Sequence, residues 1–243
     1  MTPTLRQRPE LVTQYSPSVR TLYDIFLDAT ARYSDRPCLG QRKKQPSGGW
    51  GPYEWRTYGE VRVEVEHLAS GLATLGLPRG TCVGLYSINR PEWVLADFAC
   101  QAQSLVGVAL YDSLGKDAVA YILHHAAIPA VVCSADNIAK IVAAAPACPA
   151  LKVLISMDAV SEDHRAAAAA ANLRLLTLGE VAEMGRAAPA PARPPAEDDL
   201  VTIMYTSGTT GNPKGVLLKQ RAFVAEASAV MAEEGLDISC EDV

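Results

Sequence analysis

The chain has 243 residues, 49% apolar and 20% charged, the balance of a globular protein built as one large or two small domains. A net charge of −5 excludes nucleic acid as a partner, since that role calls for a basic footprint. The six cysteines (Cys38, Cys82, Cys100, Cys133, Cys148, Cys240) have no C-x-x-C or Cys/His spacing, so reduced intracellular thiols are expected rather than a zinc site.

Residues 1–20 are polar and read as a flexible arm without the apolar segment of a secretory leader. Thr21–Tyr33 has the period of an amphipathic helix, with Leu22, Ile25, Phe26 and Ala29 on one face. A strand is expected to begin at Cys38–Gly40. Gln41–Gly51 follows as a charged, Gly-rich turn, and Tyr53, Trp55 and Tyr58 suit a hairpin whose aromatics pack across strands. Thr57 and Glu60 have capping-box spacing, so a helix should run to about Leu75, burying Val61, Val65, Leu68 and Leu72.

From Thr81 onward short apolar runs alternate with helices. Strands are expected at 81–87, 106–110, 130–133, 151–155 and 173–176, and helices at about 91–104, 117–125, 135–144 and 166–171. This is the pattern of an α/β fold, a largely parallel sheet covered by helices on both faces. Arg186–Pro195 reads as an exposed Pro/Ala spacer, within a linker over 186–199. A strand over 200–204, a loop and a helix over 220–234 complete the chain. No stretch makes a membrane span. The most apolar window, 93–110, is broken by Asp97, Gln101, Gln103 and Ser104, whereas a span needs about 20 apolar residues. A peripheral association with a membrane is left open.

The chemistry concentrates in Tyr205–Gly215, YTSGTTGNPKG. Gly208, Gly211 and Gly215 free the backbone, and successive N–H groups in such a turn can enclose an anion. Thr206, Ser207, Thr209 and Thr210 add hydroxyl donors, and Lys214 adds a cation on a long stem. A Gly/Thr-rich turn without function would not need this density. A Walker loop is excluded, because Pro213 precedes Lys214 and Gly215 follows it. The loop should therefore hold a polyphosphate between two strands. Elsewhere, Tyr111–Gly115 follows a strand end and is a second site candidate. Asn89–Trp93 suits either a substrate clamp or a helix entry with Pro91 near its start. His67, His124, His125 and His164 lack a nucleophile context and read as structural.

Tyr205–Gly215 resembles the signature phosphate loop of the adenylate-forming superfamily nearly residue for residue. The block Asn89–Ala126 and the segment Trp55–Tyr86 are similar to long-chain acyl-CoA synthetases of plant and algal type, from about Tyr15 to the end of the chain. The resemblance implies an incomplete N-terminal part of the adenylating fold, a partial AMP-binding domain over 1–243 with the phosphate loop and following helix at 200–243. It implies ATP-dependent conversion of a long-chain fatty acid to its acyl-CoA through an acyl-adenylate. The cofactors and substrates implied are ATP, Mg²⁺, coenzyme A and the fatty acid. Lys214 and Thr209 would be catalytic, with Thr209 also placing Mg²⁺. Tyr205, Thr206, Ser207, Gly208, Thr209, Thr210, Gly211, Lys214 and Gly215 would bind the nucleotide phosphates.

The family's later segments, with the adenine, ribose and CoA contacts and the small C-terminal domain, have no counterpart in the sequence. The CoA site is accordingly expected outside this chain, and the chain is expected to be inactive alone. The alternatives are a non-catalytic nucleotide-binding or interaction module, and a short-chain or aromatic-acid ligase, which Asn89–Ala126 disfavours. The setting implied is intracellular: cytoplasm, peroxisome or the surface of an organelle membrane.

Overall fold

A computed structural model of the chain describes residues 13–14, 16–46, 48–111, 113, 117–207 and 212–232. Helix α1 (Leu22–Arg32) starts at Thr21, whose hydroxyl accepts from the Asp24 N–H (3.0 Å) while the Asp24 carboxylate accepts from the Thr21 N–H (2.9 Å). Its buried stripe is Tyr23, Phe26 and Thr30, turned from the expected Leu22, Ile25, Phe26 and Ala29. Ring stacking explains the turn: Phe26 lies 4.3 Å from Phe98, with Tyr23 stacked behind it.

Strands β1 (Pro37–Lys44) and β2 (Trp50–Thr57) form the expected hairpin. Pairing extends to Lys44 opposite Trp50, so the turn is shorter than the sequence suggested. The aromatics pack across the strands as expected, Trp55 over Gly40, Tyr53 against Arg42 and Trp50 against Lys44. Tyr53 and Trp55 stack along one strand, and their cross-strand partners are Arg42 and Gly40.

The main sheet holds β3 (Cys82–Tyr86), β4 (Val106–Ala109), β5 (Ala130–Cys133), β6 (Val153–Ser156), β7 (Arg174–Thr177), β8 (Leu200–Thr206) and β9 (Lys214–Lys219). Their spatial order is β7-β6-β5-β3-β4-β8-β9; all pairs are parallel except β8–β9. Helices α1, α2 (Tyr58–Thr74), α3 (Pro91–Ala102) and α7 (Leu178–Ala187) pack on one face; α4 (Ala118–His125), α5 (Ile138–Ala144) and α6 (Glu162–Ala170) pack on the other. Alternation along the strands divides the core. Leu85, Val132, Ile155 and Leu176 face the first layer, while Val131, Leu154 and Leu175 face the second. The expected doubly covered α/β sheet is therefore borne out.

Helix α7 was not among the predicted elements. It opens with the same capping box as α2: Thr177 Oγ1 accepts from the Glu180 N–H (3.1 Å) and Glu180 accepts from the Thr177 N–H (2.6 Å). Helices α2 and α7 touch through glycine. A Cβ at Gly185 would lie 1.8 Å from the His67 carbonyl oxygen, and one at Gly71 would lie 1.9 Å from that of Val181. The Pro/Ala segment after α7 is exposed for most of its length, as expected, but it is fastened down. Ser70 bonds Ala190, the Ser104 hydroxyl donates to the Arg193 carbonyl, and Arg193 reaches Gln103 (2.7 Å) and the Leu77 carbonyl (3.3 Å).

Helix α8 (Gln220–Ala232) leaves the sheet at a buried glutamine. Gln220 Nε2 donates to Gln101 (2.6 Å), and its Oε1 accepts from the backbone N–H of Leu22 (2.9 Å), a donor left open by the start of α1. Among the described residues no helix is long and apolar enough to cross a membrane.

Candidate active site at the β8–β9 turn

Strand β8 runs beside β4, with Gly107 opposite Thr202 and Val108 opposite Ile203, and then turns back as β9. The motif Tyr205–Gly215 thus joins two antiparallel strands, as expected. Thr206 stands opposite Lys214 and Tyr205 opposite Gly215. Cross-strand partners share a face and neighbours along a strand alternate. Thr206 and Lys214 are therefore together on one face, both exposed, with exposed Ser207 following. Gly208, Thr209, Thr210 and Gly211 lie outside the described residues.

Tyr205 points the other way. Its ring is 2% exposed and packs against the α4 layer, where its hydroxyl lies 2.7 Å from His125 Nδ1. His125 meets that ring edge-on and stacks on Tyr121. Burial pushes the Tyr205 hydroxyl's pKa up, so it stays protonated. Gly215 makes room for the ring, since a Cβ there would lie 3.2 Å from Tyr205 Cζ. Tyr111, at the end of β4, donates its hydroxyl to the Tyr205 carbonyl. The second site candidate thus meets the first, although Asp112, Leu114 and Gly115 lie outside the described residues. His125 has a structural role, as expected, and that role is to hold the motif strand.

The carboxyl ends of β3, β4, β5 and β6 open into a cavity of about 630 Å³ lined by Ser87, Arg90, Tyr111, Asn137 and Asp158, among others. It sits where the chain reverses direction across the sheet, between β3 and β5, the usual place for a ligand in an open α/β sheet. Arg90 spans its wall, bonded to Glu92 (2.6 Å) and Asp158 (2.8 Å). Burial opposes the guanidinium charge, but these two carboxylates outweigh it and raise the Arg90 pKa further. Asn137 donates to the Tyr86 carbonyl (3.1 Å). The Ser87 hydroxyl is buried with no partner among the described residues, a donor kept unused at the cavity wall. Asn89–Trp93 is the helix entry the sequence allowed, with Pro91 in the first turn of α3, and Arg90 serves the cavity as well.

Residues 26–242 match the family model described as AMP-binding enzyme. The chain is 35% identical over 230 residues to a peroxisomal long chain acyl-CoA synthetase 7 of Arabidopsis thaliana, covering 94% of this chain and 33% of that one. It is 33% identical over 247 residues to long-chain-fatty-acid–CoA ligase 1 of Cavia porcellus, covering 99% and 35%. The chain thus spans about a third of the length of the curated relatives it matches. Among solved structures, the adenylation domain of a carboxylate reductase from Mycobacterium chelonae superposes with a TM-score of 0.73 at 23% identity, covering 87% of this chain and 36% of that one. An A-PCP didomain of a Segniliparus rugosus carboxylic acid reductase, in complex with AMP, superposes with a TM-score of 0.69 at 26% identity, covering 83% and 32%. The strand–loop–strand motif, the doubly covered sheet and these matches agree: the chain belongs to the AMP-binding enzyme family, in its similarity to the N-terminal portion of long-chain acyl-CoA synthetases.

Proposed function

We propose that this chain supplies the phosphate-handling part of a long-chain-fatty-acid–CoA ligase. The observation that carries the reading is the shared exposed face of Thr206 and Lys214, on a strand that Tyr111 links to a cavity of ligand size. In the reaction the fatty carboxylate attacks the α-phosphorus of ATP. The bond to pyrophosphate breaks, and coenzyme A then displaces AMP from the acyl-adenylate. Thr206 and Ser207 donate hydroxyl bonds to phosphate oxygens, and Lys214 follows and neutralises the charge that builds on leaving pyrophosphate.

The donor set fits the nucleotide phosphates: hydroxyls and a lysine, with no described carboxylate paired to Lys214. Mg²⁺, when bound with ATP, would screen the phosphate charge. The residue expected to place it, Thr209, lies outside the described residues. The reading takes a long-chain fatty acid and coenzyme A as substrates and a cytoplasmic, peroxisomal or organelle-surface setting, supported by relatives that include peroxisomal long-chain acyl-CoA synthetases of Arabidopsis thaliana. The 243-residue chain alone is read as inactive, because orientation of carboxylate against phosphorus can supply about 7–11 kcal/mol and needs more contacts than this chain offers.

The test is pyrophosphate release by the full-length protein with oleate, ATP, Mg²⁺ and coenzyme A. Lys214→Ala should lower kcat by roughly 100-fold, in the range of a lost transition-state donor. An unchanged kcat would remove Lys214 from the chemistry. Acyl-CoA formed by residues 1–243 above a no-enzyme control would refute the inactivity of the chain.

A further inference from the structure

The hairpin β1–β2 stands outside the site described above, and one of its faces is unusual. Gly40, Arg42 and Lys44 on β1 share that face with Trp50, Tyr53 and Trp55 on β2. The Lys44 ammonium lies 5.6 Å from the Trp50 ring centroid, and the Arg42 guanidinium lies 6.0 Å from that of Tyr53. Tyr53 and Trp55 stack at 5.6 Å. Yet Trp50 is 56% exposed, Tyr53 59% and Trp55 50%. Ile88, 82% exposed, borders a cleft on the same side with Gly40, Trp50 and Tyr53. Arg42 also braces the turn through the carbonyls of Gly51 (2.7 Å) and Trp50 (3.2 Å), so the rings are presented on a fixed frame.

Charge distinguishes this surface. Arg42 and Lys44 lie on it, while Glu54, the one carboxylate of residues 37–57, is on the opposite face paired with Lys43, and Arg56 is paired with Glu64 and Glu92. Met204 and Val216, cross-strand partners on β8 and β9, make a second exposed apolar surface, which is aliphatic and suits cover by more protein. Lysine is depleted in the cores of protein interfaces. Tryptophan and tyrosine interleaved with lysine and arginine are the set that settles at the headgroup level of a bilayer, rings in the interface and cations against anionic lipid.

We propose that this face of the hairpin docks the protein on an anionic lipid surface. Trp50, Tyr53 and Ile88 enter the headgroup region, and Arg42 and Lys44 meet lipid phosphates. The inference rests on the hairpin and the neighbouring Ile88, and its test needs neither ATP nor coenzyme A, so it stands or falls separately from the ligase reading.

The full-length protein is sedimented with vesicles of phosphatidylcholine containing about 30% phosphatidylserine, a fraction chosen to give a strongly negative surface, and with vesicles of phosphatidylcholine alone. Partition onto the anionic vesicles is expected, falling as salt is raised. Lys44→Gln should weaken it about fivefold, the loss of one basic contact at the surface. Joint Trp50→Ala and Tyr53→Ala should weaken it by roughly tenfold or more, through the lost interfacial ring area. Tryptophan emission of the protein should shift to the blue on adding anionic vesicles, and Trp50→Phe should remove Trp50's share of that shift. These side chains are exposed, so thermal melting of each variant should match the parent. The proposal is overturned if the protein stays in the supernatant, if both vesicle types bind it equally, or if the hairpin variants bind as well as the parent. It is also overturned if Trp50 has no share in such a shift, as it would have none with other protein covering the hairpin.

Discussion

The hydroxyl of Tyr205 lies 2.7 Å from Nδ1 of His125, joining the strand that enters the phosphate loop to the last turn of a helix on the α4 face of the sheet. With Tyr111 holding the Tyr205 carbonyl, the loop's first anchor is gripped by its side chain and by its backbone. On the proposed function, a loop that meets a polyphosphate without reorganising gains from such a grip.

Tyr205→Phe should therefore lower stability by about 1 kcal/mol, the net worth of one hydrogen bond. It should also raise the KM for ATP more than it lowers kcat, because it loosens the loop without removing a phosphate donor. Denaturant unfolding and steady-state kinetics of the full-length protein check both. Equal melting of parent and variant would show the bond to be energetically idle.

Gly71→Ala and Gly185→Ala should each destabilise strongly. Either methyl would lie within 2 Å of a backbone carbonyl oxygen on the facing helix, and backbone cannot swing aside as a flexible side chain can. A cost of about 3 kcal/mol or more is expected, at the upper end for overpacking. Gly179→Ala is the control, with only ordinary contact at 3.8 Å. Chemical denaturation midpoints of the three variants test the difference.

Asp97 gives a pH dependence. Burial pushes its carboxyl from the ordinary 3.8 up to about 7. Between these values the native state holds a proton that the unfolded chain has lost. Stability contributed at this site is thus highest near pH 4, falls as pH rises toward 7, and levels off above. The slope is at most about 1.4 kcal/mol per pH unit. Asp97→Asn should remove that slope and raise the melting temperature at pH 8 relative to the parent. Parallel melting curves for parent and variant from pH 5 to pH 8 would show that Asp97 titrates in its ordinary range.

Arg193→Ala should free the segment between α7 and β8. It removes bonds to Gln103 and Leu77, which tie that segment to α3 and to the end of α2. Limited proteolysis should then cut within 188–199 several times faster, with little change in the melting temperature, since the segment is mostly exposed. Unchanged cleavage would mean that Ser70 and Ser104 suffice to hold it.

Much of this architecture is legible in the sequence. The capping box at Thr57 and the strand periodicity from Thr81 onward depend on local spacing, and they locate α2 and the parallel sheet. Helix α7 carried the same signal, Thr177 with Glu180, but its ten residues precede a proline-rich run that reads as linker. The fastening of that run depends on Ser70, Gln103 and Ser104, which lie about 90 to 120 residues away. The glycine contact of α2 and α7 becomes visible only when the two helices are brought together. At the site, the register of β8 and β9 puts Lys214 and Thr206 on one exposed face. Tyr205 was grouped with them by motif, whereas the two-residue period of β8 sends its ring into the core. His125 lies 80 residues from its partner, and no spacing rule pairs them.

Gln220 connects the open N–H of Leu22 with the helix that leaves the phosphate hairpin, across 198 residues of chain. During synthesis at about 5–20 residues per second, the first helix therefore waits roughly 10 to 40 seconds for its last partner to emerge from the ribosome. A helix completed by a residue 198 positions later in the chain cannot be closed stepwise from the N-terminus. It stays open to chaperones, and to mispairing, until the phosphate hairpin has been made.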